Sequence, residues 1–413
     1  MTRLKLILFV AIILIITASI FSFVSLHNDF LIRKWQLPLD PPGFFDSRQF
    51  AWASESHAQG HDQIYKNTVN PRGTLLNYPR IWHALFSLGI NESHTNILGS
   101  IVIILFLIGI GIFWFSGNFD NFTYLILFFV ILSPPVMLGV ERSNIELIIF
   151  FILSLALVIN SYSSISALLI FLFAAILKLY PIFGIPYLLK EHKRKFWFLF
   201  LTGSGIFVLY ALLSITDFIQ LFKTAPKGVS SSFGRDVWWM ALRHGRFYHL
   251  PLSDSQVLFF KILSYILAFI SVAAALYFSM RRAGSGLCRQ PQYVDAFRIG
   301  AGIYIGCFLL MNTVDYRLVF LVFAIPQLVV WMRDCDKGDS LVPRITFSAI
   351  MFSLWSNVVM RFLGRKITFA MEEFSNWIIL VGLLYLFFSS LPEWFKNDLR
   401  RLFCFKKCYP SAN

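Results

Sequence analysis

Charged residues are scarce in this chain, and the few that interrupt its apolar runs are the ones whose chemistry must be explained. Asp46 lies in the stretch Pro42-Gly43-Phe44-Phe45-Asp46-Ser47-Arg48-Gln49-Phe50-Ala51-Trp52-Ala53. Its carboxylate has two readings. The phase of Phe50, Ala53 and Ala58 suits a short helix lying along a membrane, and an Asp just ahead of such a helix commonly caps its N-terminus. Alternatively, the carboxylate takes the proton of an attacking hydroxyl as a general base. Asp40 and Asp62 compete for that second role. A further set, Glu141, Arg142, Asn144, Glu146, Lys178, Tyr180, Asp315 and Arg317, falls at the ends of apolar runs. A charge at the centre of a membrane helix costs about 2.5–3.5 kcal/mol, so such residues persist where they gain a partner, a cavity or a task. Taken together they outline a polar chamber at one face of a bilayer. Taken singly, each could snorkel to water.

The elements that must position these residues follow from composition. Of 413 residues, 57% are hydrophobic and 14% charged, with mean hydropathy +0.68. A soluble domain carries about 25% charged residues, so a water-soluble enzyme and a disordered chain are both excluded. At about 20 residues per crossing, the length allows roughly 10–13 membrane helices in one polytopic, all-α domain. The formal net charge is +14, from 36 Lys and Arg against 22 Asp and Glu. No basic run has the length or aromatic interleaving of a nucleic-acid groove, so no nucleic-acid partner is expected. The excess instead marks loops held in the cytoplasm. The five cysteines, Cys288, Cys307, Cys335, Cys404 and Cys408, have no metal-ligand spacing with histidine.

The first apolar run, Leu6–Leu26, reads as an uncleaved span with its amino terminus inside. Residues 27–95 hold six Lys or Arg and six Asp or Glu, a balance that suits a first outer loop. Spans are expected at about 96–115, 123–140, 145–160 and 164–177. The chain then breaks at Lys178-Leu179-Tyr180-Pro181 and returns through a short segment, which places the basic run KEHKRK inside. A second outer loop is expected over 217–255, with both outer loops carrying short helices. A tight outer turn is expected at Asp315-Tyr316-Arg317, and a basic cytoplasmic tail over 391–413. One link fits poorly. Between spans at 345–360 and 375–390, Arg361, Arg365 and Lys366 would lie outside with only Glu372 and Glu373 against them.

Several stretches resemble one family. They are the first loop with D-x3-F-A followed by Gly60, Tyr65 and Asn77-Tyr78-Pro79, then ERSNIELIIF, AAILKLYPIFGIPYLLKEHKRKFW and DYRLVFL. Spread over about residues 5–330 and strongest at 141–195, the pattern is similar to the polytopic GT-C glycosyltransferases. It most resembles glycosyltransferase family 87, which includes polyprenol-phosphate-mannose-dependent mannosyltransferases. The resemblance implies a GT-C-like fold and a hexose or mannose-like sugar moved from a polyprenyl-phosphate carrier to a glycan or glycolipid acceptor at the non-cytoplasmic face. Membrane lipid is the other implied partner. By position Asp46 matches the family's catalytic base. Lys178 looks like its Lys-x-x-Pro break and Arg317 like its Tyr-Arg, so Lys178, Arg142 and Arg317 are expected to hold the donor phosphate. Tyr180, Asn144, Tyr78, Arg235 and His244 are expected to contact substrate. Ser47 and Arg48 stand where some relatives of this fold have a paired acidic motif, so no metal and no cofactor is expected.

Trp35, Trp52, Trp82, Trp238 and Trp239 could stack on sugar faces or anchor at the membrane interface. Other functions remain open on sequence alone. A lipid-linked oligosaccharide polymerase or ligase would also have large outer loops. A transporter or flippase would show repeat symmetry, which is not evident here. A scaffold would have no need of Lys178. The expected location is a bacterial inner membrane, with both termini cytoplasmic.

Overall fold

The structure, a computed structural model, describes residues 3–39, 41, 43–225, 228, 231–243, 252–281, 293–310, 312–334 and 340–402. They form an all-α, polytopic membrane protein. Among the described residues six helices are long and apolar enough to cross a membrane: Arg3–Ser25, Glu92–Ser116, Lys193–Leu213, Asp254–Arg281, Leu341–Leu363 and Arg365–Ser389. Two bent pairs and two shorter apolar helices accompany them. Asp40, His244 and the cysteines other than Cys307 lie outside the described residues, as does the tail after 402. The chain divides into two compact units, residues 1–182 with 199–226, and 183–198 with 227–413.

In the first unit, α1 (Arg3–Ile20) runs into one π-helical turn, and α2 (Phe45–Ala58) is the short helix expected after Pro42. A capping box at Asn91 opens α3 (Thr95–Ser116), with the Asn91 side chain accepting from Ser93 N at 3.1 Å. Asp120 caps α4 (Asn121–Ile131) through Thr123 N at 2.8 Å. The expected span at 123–140 is bent by 51° between α4 and α5 (Pro134–Arg142). Pro134 and Pro135 cause the break, because proline lacks the N–H that would continue α4 and is well placed to start a new helix. Next come α6 (Glu146–Asn160), packed against α3, and α7 (Ser164–Leu177), packed against α6. The chain breaks at Lys178, which is extended at φ −158° and ψ 122°. The carboxyl part of α8 (Lys193–Leu213) and α9 (Ile215–Thr224) complete the unit.

The second unit contains the 3-10 segment Tyr180–Lys190 from Phe183 onward, and α10 (Val237–Arg243), α11 (Asp254–Arg281) and α12 (Val294–Leu310). A small antiparallel pair joins β1 (Ser232–Phe233) to β2 (Thr313–Val314), with Ser232 opposite Val314. The expected turn at Asp315 opens a 3-10 helix, Asp315–Phe323, which bends by 55° into α13 (Ile325–Asp334). Helices α14 (Leu341–Leu363) and α15 (Arg365–Ser389) are joined by Gly364 alone, at φ +77°, a conformation that glycine adopts without strain. The long charged link expected between them therefore does not exist. Glu372 and Glu373 lie inside α15 and are buried. Ser353 donates to the Asn376 side chain at 2.9 Å, and Tyr304 donates to the Asn376 carbonyl at 3.0 Å, so α12, α14 and α15 meet at a polar centre. Finally, α16 (Glu393–Leu402) folds back on the start of α8. Trp197 stacks on Phe395 with ring centroids 6.3 Å apart, and Lys193 pairs with Asp398 at 2.8 Å. Leu258, Phe259, Ile262, Phe269, Ile270 and Phe278 of α11 are exposed, an apolar face suited to lipid.

Candidate active site

Asp46 does not cap α2. Phe44 occupies the N-cap position, at φ 52°, and Asp46 sits in the first turn. Two contacts seat this turn. Phe44 N donates to Glu141 O at 2.9 Å, tying α2 to the end of α5. The Phe44 ring also presses on Gly99 of α3 so closely that a methyl group there would come within 2.3 Å of a ring carbon. Only glycine gives the ring that space.

The 5% exposed Asp46 carboxylate is held from one direction by Arg142, the last residue of α5. Arg142 Nη2 donates to Oδ1 at 3.0 Å and Nε to Oδ2 at 3.1 Å, a two-pronged grip. Asn144 Nδ2 donates to Oδ2 as well. The turn that delivers both donors pivots on Ser143, at φ 48°, whose hydroxyl donates to Ser47 Oγ at 2.6 Å. Among the described residues Oδ1 accepts a single hydrogen bond, so it keeps a lone pair for an incoming proton.

The same Asn144 reaches a second ion pair. Its Oδ1 accepts from Glu146 N at 2.9 Å, and Glu146, fully buried at the start of α6, faces Lys178 Nζ with Oε1 at 3.0 Å. Tyr180 donates its hydroxyl to Glu146 Oε2. The Lys178 ammonium also lies over the Tyr78 ring, 4.7 Å from its centre, a cation–π contact. Asp46, Arg142, Asn144, Lys178, Tyr180 and Tyr78, each singled out from sequence, thus form one connected network within the first unit. Lys178 and Tyr180 reach Glu146 from the break after Leu177.

A buried carboxylate, two cations and a helix break therefore lie together in the first unit. Comparison with protein families is decisive on the class: the pattern of glycosyltransferase family 87 matches residues 83–334. The chain belongs to glycosyltransferase family 87. It is therefore a membrane glycosyltransferase. Comparison with curated proteins and with solved structures gives no significant match.

In this glycosyltransferase the remaining expected residues belong to the second unit. Arg317 donates to Thr313 Oγ1 at 2.7 Å. Arg235 donates to Leu309 O at 2.7 Å, pairs with Asp236 at 3.3 Å, and lies 3.7 Å from the centre of the Tyr265 ring. Those bonds make Arg235 a fastener between its loop and two helices. Among the described residues no group of three or more His, Cys, Asp or Glu is arranged to hold a metal ion.

Four of the five tryptophans use their N–H inside the protein. Trp35 donates to Leu132 O at 2.6 Å, Trp82 to Leu177 O at 3.0 Å, Trp238 to Ser264 Oγ at 3.1 Å and Trp239 to Asp236 Oδ1 at 3.2 Å. These bonds fasten elements to one another.

Sequence reasoning gave no part to several residues around the glycosyltransferase's site. Phe45 carries the guanidinium groups of both Arg72 and Arg142, at 4.3 and 4.9 Å from its ring centre. Arg80 grips Asp217 of α9 through Nε at 2.7 Å and Nη2 at 2.8 Å, and meets Asp62 at 2.9 Å. The hydrogen bonds from Arg80 hold the Asp217 carboxyl below the usual carboxylate range, and the same contact raises Arg80. Asp62, a competitor for the base in the sequence, is thereby engaged in locking residues 62–80 to α9. An Asp–Arg pairing across such a distance in sequence leaves no local signal.

Proposed function

We propose that this glycosyltransferase moves a hexose, mannose-like, from a polyprenyl-phosphate carrier to the hydroxyl of a glycan or glycolipid acceptor at the non-cytoplasmic face of a bacterial inner membrane. The observation that carries the reading is the Asp46 carboxylate, oriented by Arg142 and Asn144 and linked through Glu146 to Lys178. The sidedness reading rests on the basic runs KEHKRK and residues 391–413, which favour the cytoplasm, together with the balanced charge of residues 27–95.

The chemistry is a single displacement. The acceptor oxygen attacks the anomeric carbon, and its proton passes to Asp46 Oδ1. The bond from the anomeric carbon to the phosphate oxygen breaks, and its electron pair stays on that oxygen. The configuration at the anomeric carbon inverts. The phosphate goes from a singly charged diester to a monoester carrying about one more negative charge, so the site must supply positive charge where it grows. Lys178 supplies it as a point charge, and the Arg142 guanidinium adds a second positive charge beside it. Tyr180, Asn144 and Tyr78 set the positions of these groups.

The test is transfer in vitro from a panel of polyprenyl-phosphate sugars, with wild type and Asp46→Asn compared in the same detergent. Wild type forms product from at least one donor, and Asp46→Asn loses about 10²–10⁴-fold of the rate, the usual worth of general-base catalysis. Retained transfer in a correctly inserted Asp46→Asn removes Asp46 from the base role. Absence of product with every lipid phosphate sugar removes the donor class.

A further inference from the structure

Glu146 has no role in the displacement as written, yet it is the most completely enclosed charge in the network, at 0% exposed. Its placement is over-determined. Oε1 faces the Lys178 ammonium at 3.0 Å, Oε2 receives the Tyr180 hydroxyl, and its backbone N–H is spent on Asn144 at 2.9 Å. It is also the first residue of α6, where the exposed N–H groups and the helix dipole favour negative charge. A carboxylate so placed keeps its position when the ammonium shifts toward another anion.

The reaction makes that property useful. A cation that binds the donor phosphate binds the product phosphate more strongly, because the product carries the larger charge. Lys178 is only 9% exposed, so solvent screens it poorly. Without a neighbour of opposite sign it would retain the spent carrier. The charges of the network balance in pairs, Arg142 with Asp46 and Lys178 with Glu146. An arriving phosphate must therefore compete with Glu146 for the ammonium.

We propose that Glu146 is a positioning residue whose fixed carboxylate competes with the lipid phosphate for Lys178 and so drives release of the spent polyprenyl-phosphate carrier. This rests on the donor class proposed above. Tyr180 is its partner in the same task. By holding Oε2 it prevents the carboxylate from following the ammonium onto the phosphate side.

The experiment is product inhibition by polyprenyl phosphate in steady-state transfer, read for wild type and Glu146→Gln. Glutamine has the same shape and still accepts from Tyr180, but it carries no charge. The expected result is an inhibition constant lower by about tenfold or more, with kcat reduced and the donor KM not raised; close charge pairs couple by at least that much. A merely structural role would not tighten product binding. A second comparison reads the same repulsion if Glu146→Gln is poorly recovered. Lys178→Met alone leaves Glu146 facing the phosphate, and adding Glu146→Gln to it should recover product binding about tenfold. A folded Glu146→Gln whose inhibition constant is unchanged or higher overturns the proposal while leaving the donor class intact. If wild type neither uses polyprenyl-phosphate sugars nor is inhibited by polyprenyl phosphate, the donor class fails and this inference falls with it.

Discussion

The indole N–H of Trp82 donates to the carbonyl of Leu177 at 3.0 Å, joining the 3-10 helix Arg80–Leu88 to the last turn of α7, one residue before Lys178. That carbonyl is one of the four at a helix end that have no partner within the helix. Trp82 supplies the missing donor, and its ring packs on Phe50 of α2 at 5.2 Å between centroids. One side chain thus links the helix that bears Asp46 to the break that bears Lys178.

Replacing Trp82 by Phe keeps much of the ring and removes the donor. The expected cost is about 1 kcal/mol of stability, the net worth of one hydrogen bond, with a several-fold loss of transfer as Lys178 loses its fixed origin. Thermal unfolding in detergent together with donor KM checks it. An unchanged KM would show that the Leu177 carbonyl finds another donor without moving Lys178.

Arg142 grips Asp46 with two parallel donors, a geometry that lysine cannot copy. Arg142→Lys retains the charge and is expected to lower kcat/KM by about 10- to 100-fold, from the loss of one charge-assisted hydrogen bond and of the carboxylate's orientation. Activity within about twofold of wild type, at equal protein yield, would mean that charge alone suffices at this position.

The Arg80–Asp217 pair gives a pH signature. Because Arg80 holds the Asp217 carboxyl below its ordinary value, the pair's stabilisation is complete above that ordinary value and disappears as the pH falls through the lowered one. Asp217→Asn is therefore expected to be less stable than wild type by about 1 kcal/mol at neutral pH, a modest figure because Arg80 is half exposed. The difference should begin to shrink below about pH 4 and close as the pH falls through the lowered value. Unfolding midpoints of the two proteins across pH 3–8 test this. A gap that stays constant into acid would assign the effect to packing of Phe218 and Leu221 instead.

Much of this arrangement is legible in the amino-acid sequence, and the exceptions have physical reasons. The helix after Pro42 is readable from the phase of Phe50, Ala53 and Ala58, and the break at Lys178 from Pro181 and the basic run beyond it. Each is a local signal. The role of Asp46 is not local, since an Asp ahead of a helix reads equally as a cap, and only the αL turn at Phe44 moves the cap back and frees the carboxylate for Arg142. The pairing of Glu146 with Lys178 joins two separate helices, which spacing does not encode. Hydropathy also misplaces the boundary between α14 and α15. It treats Arg361 to Glu373 as a loop because charges disfavour a span. In the folded chain α15 continues through Glu372 and Glu373, just ahead of the polar centre formed by Ser353, Tyr304 and Asn376.

Helices α6 and α7 have 15 and 14 residues. At 1.5 Å per residue they measure about 21–23 Å, less than the ~30 Å hydrocarbon thickness of a bilayer. Each is shorter than a full crossing, and the two pack against each other as a hairpin. The Glu146 and Lys178 ends of that hairpin are the same end, because the two side chains meet. The polar pair therefore closes the open end of two short helices, where the chain turns without having run a full membrane's depth.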